Sequence, residues 1–242
     1  MFKTRERKAY FSPQTEACSD NCMKTRFYKV MHFLLAGILK LVFRIHVHGR
    51  ENEPSYEDGP YIIAANHICA LDPIFLCAAT KKQQPLFMAK KELFGIPVLK
   101  SIIKAFGAFP VNRNGADVGA VKKAIQSVKE DRCIGIFPQG KRCNGVNPHD
   151  TKVKPGVGMI AAHTQAQVLP VHIKTKNYTK KFMRRIDIYI GKPIKFEELN
   201  YDGEASGEYL RMSEFVFTRI CDLVERDETI PAPESKSDKD NG

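Results

Sequence analysis

A histidine and an aspartate stand five residues apart between two apolar runs of this 242-residue chain. His67 follows the first run, and Asp72 precedes the second. Histidine takes up and returns a proton near neutral pH because its resting pKa is about 6.5. An aspartate that accepts a hydrogen bond from the second ring nitrogen would fix the tautomer and stabilise the imidazolium. The pair therefore predicts a general base and its orienting acid.

The two apolar runs predict the elements that must hold this pair. Residues 61–65 follow a Gly-Pro step and are typical of a buried strand, and residues 73–79 are typical of a buried helix with proline at its first position. Positions five apart on a regular helix point about 140° away from each other, so the pair meets only if the chain turns between them. Alternatively, Asp72 only caps the helix and His67 is a buried structural histidine.

Two arginines follow other predicted strands at comparable positions. Arg113 comes after an apolar run that ends at residue 111, and Arg142 comes after one that ends at residue 137. If these strands are parallel neighbours of the first, both side chains and His67 converge on one edge of the sheet. Guanidinium groups bind phosphate as a bidentate fork, which predicts an anionic substrate. Lys90 adds a further cation, and Gly140 lets the backbone approach a ligand closely.

The chemistry-bearing residues fall into blocks whose order is informative. Four blocks follow His67 and Asp72, at Phe87–Phe94, Gly107–Arg113, Ile136–Arg142 and Val168–Val171. In order and spacing, the blocks resemble those of the glycerolipid acyltransferases, and most of all the 1-acyl-sn-glycerol-3-phosphate acyltransferases. The resemblance covers about residues 47–195.

The resemblance implies a reaction and a set of site residues. Acyl-CoA or an acylated carrier protein would donate an acyl group to lysophosphatidic acid, with no metal and no cofactor. His67 and Asp72 would be catalytic, and Arg113 and Arg142 would hold the phosphate. The segment around Pro170 would help shape an acyl pocket. The substrate-binding set that we expect is Lys90, Arg113, Gln139, Gly140, Arg142 and Pro170.

One block departs from the family pattern Phe-Pro-Glu-Gly-Thr-Arg-Ser. This chain has Gln139, Lys141 and Cys143 at the Glu, Thr and Ser positions. The acceptor therefore stays open between lysophosphatidic acid, glycerol 3-phosphate, another lysophospholipid and an acylated amine lipid. A catalytically silent lipid-binding relative is a further alternative, as is a thiol nucleophile at Cys69 or Cys143.

The charge balance predicts the kind of surface that the protein binds. Lysine and arginine number 38 against 27 acidic residues, which gives a formal net charge of +11. Such an excess favours an anionic bilayer or a nucleic acid. The lysines are dispersed and no nucleic-acid-binding signature is present, so we expect no nucleic-acid partner. The seven scattered cysteines favour buried, reduced thiols in a cytosolic setting, and Cys18 with Cys22 is a weak candidate for a metal site.

Residues 27–45 form the most apolar run of the chain, interrupted by four polar or charged residues. These are Lys29, His32, Lys40 and Arg44. Because cations inside a bilayer span are costly, we expect a helix that lies in the membrane interface with its cations on the headgroups. A buried helix of the domain and a transmembrane span are the alternatives. The predicted location is peripheral or monotopic, on the cytoplasmic face of a membrane.

Seven short strand-like runs alternate with helical patterns in the remainder of the chain. This alternation predicts an α/β fold with one mixed, largely parallel sheet of about seven strands flanked by helices. The expected organisation is a polar segment at residues 1–23, the interface helix at 24–46, an acyltransferase domain at 47–230 and a disordered tail at 231–242.

Overall fold

Strands and helices alternate along the chain in the computed structural model, which describes residues 43–95, 100, 103, 109–111, 118–179, 184–203 and 206–226. The strands are β1 Ile45–His48, β2 Tyr61–Ala65, β3 Leu86–Lys90, β4 Phe109–Val111, β5 Ile134–Ile136, β6 Gln167–Lys174 and β7 Ile186–Ile190. The α-helices are α1 Asp72–Ala79, α2 Val118–Lys129, α3 Gly156–Thr164 and α4 Glu208–Cys221.

One mixed sheet organises these elements. Six strands hydrogen-bond in the order β1-β7-β6-β2-β5-β3, and β4 pairs with β3 at the outer edge. Every neighbouring pair is parallel except β6 and β7. The predicted α/β fold, with a single mixed and largely parallel sheet flanked by helices, is confirmed.

The central strand β2 is buried on both faces, as its continuous apolar sequence predicts. Successive side chains of a strand point to opposite faces. Tyr61, Ile63 and Ala65 accordingly pack in one core with residues of α1. Ile62 and Ala64 pack in a second core with residues of α2, α3 and α4. The two cores hold β2 rigidly from both sides, and the chain that leaves it carries His67.

Strands β2, β3, β5 and β6 all end at the same edge of the sheet, which we call the carboxyl edge. Strands β7 and β1 run the opposite way, so they begin at this edge. Lys174 at the end of β6 pairs with Asp187, and Ile45 pairs with Ile186. Segments that are far apart in sequence therefore meet beside His67.

Strand β1 corrects the boundary of the predicted interface helix. Ile45 and His46, the last two residues of the range 24–46, pair with β7 and alternate between buried and exposed. The rest of that range up to residue 42 lies outside the described residues, as do Cys18, Cys22 and the tail from residue 227. Among the described residues, no helix combines the length and the apolar character that a bilayer crossing requires.

A buried histidine joins the sheet to α4. His172 in β6 is inaccessible to solvent; its Nδ1 lies 2.9 Å from the Ile220 carbonyl oxygen, and its Nε2 lies 3.0 Å from the Tyr178 hydroxyl. The neutral ring donates to the carbonyl and accepts from the hydroxyl. Burial lowers the pKa of His172 to about 4.

This histidine predicts loss of stability in weak acid. Below about pH 6.5 His172 is protonated in the unfolded chain, whereas in the folded protein it stays neutral down to about pH 4. The free energy of unfolding should therefore fall by about 3 kcal/mol between those pH values. Urea unfolding at a series of pH values should show a shallower dependence for His172→Gln. The exposed His163, replaced by Gln, should keep the wild-type slope, and parallel slopes for both variants would contradict the assignment.

Candidate functional site

His67 and Asp72 meet in a tight turn between β2 and α1. His67 Nδ1 lies 2.7 Å from Asp72 Oδ2. The same carboxylate oxygen accepts hydrogen bonds from the backbone N–H of Ile68 at 2.6 Å and of Cys69 at 2.8 Å. The Asp72 N–H donates to the Cys69 carbonyl at 3.2 Å, which closes the turn. The structure thus brings together the two residues that the sequence paired, and α1 begins at Asp72 rather than at Pro73.

The environment of Asp72 assigns the hydrogen on the imidazole ring. An ionised carboxylate only accepts, so the Nδ1 that faces it carries the hydrogen. The Cys69 thiol donates to the other carboxylate oxygen, Oδ1, at 3.1 Å. Asp72 also stands in the first turn of α1, where the helix dipole favours negative charge. Nε2 of His67 is left with its lone pair and can accept a proton from a substrate.

An aromatic stack fixes the plane of the imidazole ring. Phe137, one residue beyond β5, stacks on His67 with ring centroids 4.0 Å apart and an angle of 14° between the planes. Phe87 of β3 stands behind Phe137 at a centroid distance of 6.0 Å. Phe87 itself lies over Gly135 of β5, where a Cβ would come within 2.0 Å of its ring. Gly135, Phe87 and Phe137 therefore form a continuous support that ends at His67.

The loop after β5 also holds the backbone of His67. The His67 N–H donates to Gln139 Oε1 at 2.6 Å, and the His67 carbonyl accepts from the Cys143 N–H at 2.8 Å. The amide nitrogen of Gln139 donates to Thr151 Oγ1 at 2.7 Å. Gln139 is buried, with both ends of its carboxamide bonded within the protein. It supports the His67 backbone, and the substrate contact predicted for it stays a prediction.

Gly140 completes a turn at the start of this loop. Its N–H donates to the Phe137 carbonyl at 3.0 Å, and its φ of +66° lies in the left-handed region that favours glycine. A Cβ at this position would lie 2.8 Å from Cδ of Lys154. The structure explains Gly140 by its backbone conformation and the Lys154 side chain, and its contact with a ligand stays a prediction.

Two of the predicted phosphate-binding residues can be placed at the carboxyl edge. Arg142 is exposed and stands next to Cys143, whose N–H bonds to His67, so its backbone lies beside the turn of His67 and Asp72. Lys90 is the last residue of β3 and ends at the same edge. Arg113 lies outside the described residues; β4, which precedes it, ends at Val111.

Pro170 lies inside the sheet, away from the loops of the carboxyl edge. It is buried in the middle of β6, opposite Ala64 of β2, and its carbonyl accepts from the Gly191 N–H at 2.9 Å. Its predicted contribution to an acyl pocket stays a prediction.

The cysteines of the described residues are buried thiols. Burial raises the pKa of the Cys143 thiol and raises that of Cys133 to about 12. A protonated thiol is a poor nucleophile, so these environments disfavour the alternative of a thiol nucleophile at Cys143. The Cys69 thiol is engaged with Asp72 and belongs to the support of the carboxylate.

Sequence reasoning missed several residues that position the pair. Phe137 and Thr151 were given no role from the sequence, although Phe137 belongs to the block Ile136–Arg142. Asn66 donates to the Ile173 carbonyl at 2.9 Å and accepts from the Ile173 N–H at 2.7 Å, which ties the end of β2 to β6. The adjacency of Asn66 to His67 was the available signal, because a buried amide at a strand end needs backbone partners.

Three comparisons relate this chain to known proteins. A family model described as Acyltransferase matches residues 44–174. The 1-acyl-sn-glycerol-3-phosphate acyltransferase of Streptococcus pneumoniae is 33% identical over 179 residues, covering 71% of this chain and 65% of the relative. The Bacillus subtilis protein of the same name is 31% identical over 169 residues, covering 69% of this chain and 82% of the relative.

A third relative and a solved structure agree with these matches. The Borreliella burgdorferi protein of the same name is 35% identical over 168 residues, covering 64% of this chain and 61% of the relative. The crystal structure of the 1-acyl-sn-glycerophosphate (LPA) acyltransferase PlsC from Thermotoga maritima matches with a TM-score of 0.62 and 26% identity, covering 86% of this chain and 84% of that chain. The chain spans just under two thirds of the S. pneumoniae and B. burgdorferi relatives. The predicted family resemblance is confirmed.

The aromatic support behind His67 predicts a large effect at Gly135. Gly135→Ala should destabilise the fold by about 1–3 kcal/mol, because the new methyl group displaces the Phe87 ring. Gly95→Ala is the matched control: no heavy atom of the described residues lies within 4 Å of its added Cβ, so its effect should stay within about 0.5 kcal/mol. Urea unfolding of both variants measures the difference, and equal midpoints would contradict the packing described.

Proposed function

This chain belongs to the acyltransferase family, and we propose that it transfers an acyl group from a thioester donor to the free hydroxyl of 1-acyl-sn-glycerol 3-phosphate, giving phosphatidic acid. The observation that carries the proposal is the 2.7 Å contact between His67 Nδ1 and Asp72 Oδ2 at the end of β2. The names of the curated relatives support the choice of acceptor. The donor is acyl-CoA or acyl carrier protein, and both supply the same thioester.

The proposed reaction is a direct transfer without an acyl-enzyme. Nε2 of His67 removes the proton of the acceptor hydroxyl as that oxygen attacks the thioester carbonyl carbon. The tetrahedral intermediate collapses with cleavage of the carbon–sulfur bond, and the imidazolium returns its proton to the departing thiolate. Asp72 stabilises the imidazolium between these two steps. The mechanism needs neither a metal nor a cofactor.

The acceptor phosphate is proposed to bind the cations at the carboxyl edge. Arg142 supports this role because it is exposed and its neighbour Cys143 bonds to the His67 carbonyl. Lys141, at the position of the family threonine, is exposed as well and increases the positive charge beside Arg142. Arg113 and Lys90 complete the proposed set. The added charge at residue 141 also suits glycerol 3-phosphate, which is the second acceptor to test.

A lipid acceptor places the reaction at a membrane. We expect the protein to bind a bilayer peripherally, on the cytoplasmic face, through the apolar and cationic run at 27–45 and its net charge of +11.

Loss of the base should remove turnover and leave acceptor binding. His67→Ala should lower kcat by about 10²- to 10⁴-fold, because no other group takes the hydroxyl proton. Asp72→Asn should also lower kcat strongly, since the neutral amide lacks the negative charge that stabilises the imidazolium. Thiol release from acyl-CoA in the presence of lysophosphatidic acid measures the rates, with circular dichroism as the check on folding.

His163→Ala, at an exposed histidine, is the control and should be as active as wild type. Arg142→Ala should raise the apparent KM for lysophosphatidic acid with little change in kcat. Normal turnover by His67→Ala would rule the mechanism out.

Substitutions at Gln139 distinguish a role in supporting the His67 backbone from a contact with the substrate. Gln139→Leu leaves the buried His67 N–H without its acceptor and should cost about 1–3 kcal/mol of stability, together with a fall in kcat at unchanged KM. Gln139→Glu keeps an oxygen for that N–H and should lie between wild type and Gln139→Leu. Urea unfolding and thiol release measure the two effects. A raised KM with wild-type stability in Gln139→Leu would instead indicate the substrate contact first expected.

A further inference from the structure

A second group of cations lies at the carboxyl edge, on the side of β6. It lines an open groove of about 500 Å³, which we call the basic groove. Its lining residues are Arg44, Lys174, Thr175, Lys176, Arg184, Arg185 and Asp187. These residues lie close together because β6 ends at the edge where β7 and β1 begin. Lys174 pairs with Asp187 there, and Ile45 pairs with Ile186.

Of the five cations that line the basic groove, Arg185 is the one paired with an acidic side chain of the described residues. Arg185 binds both carboxylate oxygens of Asp187 at 2.7–3.1 Å, and His48 Nε2 lies 3.0 Å from one of them. The other four cations of the groove have no carboxylate within ion-pair distance among the residues that the structure describes. Cations gathered in a groove repel one another, so the groove favours an anion.

The basic groove adjoins the turn that holds the catalytic pair. A small cavity is lined by Ile68, Cys69 and Asp72 of that turn. Thr175 and Arg184 line the same cavity and also line the basic groove. The groove therefore opens on the edge of the sheet at which a lipid acceptor must reach His67.

We propose that the basic groove binds the phosphate of an anionic phospholipid headgroup in the bilayer and thereby seats the carboxyl edge against the membrane. The proposal rests on the proposed function, because a lipid acceptor requires this edge to face the bilayer. Arg44 favours a bilayer lipid as the source of the phosphate. It lines the groove and is also the last cation of the apolar run 27–45 that we expect in the membrane interface. Arg44 thus links the groove, along the chain, to the run that we expect in the membrane interface.

Vesicle binding tests the proposal on the full-length protein. Lys174→Gln with Lys176→Gln removes two groove cations and keeps polar side chains of similar length. Each cation near an anionic surface contributes about fivefold to partitioning, so the double variant should bind phosphatidylglycerol-containing vesicles roughly 25-fold more weakly. Binding to pure phosphatidylcholine vesicles should be unchanged, and 0.5 M salt should remove the difference.

Lys122→Gln with Lys129→Gln, both exposed on α2, is the control of equal charge. The control should lose binding by less than threefold. If both double variants lost the same amount of vesicle binding, the loss would reflect net charge alone, and the proposal would be overturned.

An activity measurement identifies the source of the phosphate. Thiol release with a short-chain, soluble lysophosphatidic acid needs no vesicle, so the groove variant should keep the wild-type kcat and both KM values. A raised KM for acyl-CoA with unchanged vesicle binding would make the groove a donor-phosphate site and overturn the lipid proposal. If the wild-type protein releases no thiol but the difference in vesicle binding persists, the groove proposal stands and the proposed function fails.

Discussion

The carboxylate of Asp72 holds the chain turn on which the site depends. A single oxygen accepts from two successive backbone N–H groups and from the imidazole of His67, all within 2.6–2.8 Å. Residues five apart on a helix would face away from each other, and this cluster of donors keeps the segment in a turn instead. The same contacts restrain the histidine ring and place the negative charge at the first turn of α1. The Asp72 side chain thus restrains the His67 ring, and Asp72 is also the first residue of α1.

The ring and backbone of His67 are held by a different part of the sheet. Phe137 and Gln139 come from the end of β5, which lies beside β2 in parallel. One residue stacks on the ring and the other accepts from its N–H, so β5 restrains side chain and backbone together. Gln139 can do this as a neutral amide because Thr151 accepts from its nitrogen. The oxygen and the nitrogen of this carboxamide, which departs from the family pattern, each have a hydrogen-bond partner within the protein.

Positive charge flanks His67 on both sides of β2. The sheet order β6-β2-β5 places the loop of Lys141 and Arg142 on one side and the basic groove on the other. Among the described residues, Arg185 is the groove cation that pairs with an acidic side chain, so an anionic surface that approaches the edge would meet both groups. In the proposed function the first group binds a substrate phosphate, and in the proposed membrane contact the second binds the headgroups of a bilayer, so the two anions would occupy separate sites.

Features that rest on local contacts could be predicted from the sequence. The strands of the sheet and helix α1 follow from apolar runs with turn residues at their ends, and the meeting of His67 with Asp72 follows from a turn only five residues long. Tertiary structure alone decided what surrounds the pair. The burial of Gln139, the stacking of Phe137 and the place of Pro170 inside the sheet depend on which strands are neighbours. The basic groove depends further on the reversed direction of β7 and β1. Strand order and direction come from hydrogen bonds between separate segments of the chain, such as Ile45 with Ile186 and Tyr61 with Gln167, and hydrophobic periodicity does not specify these pairings.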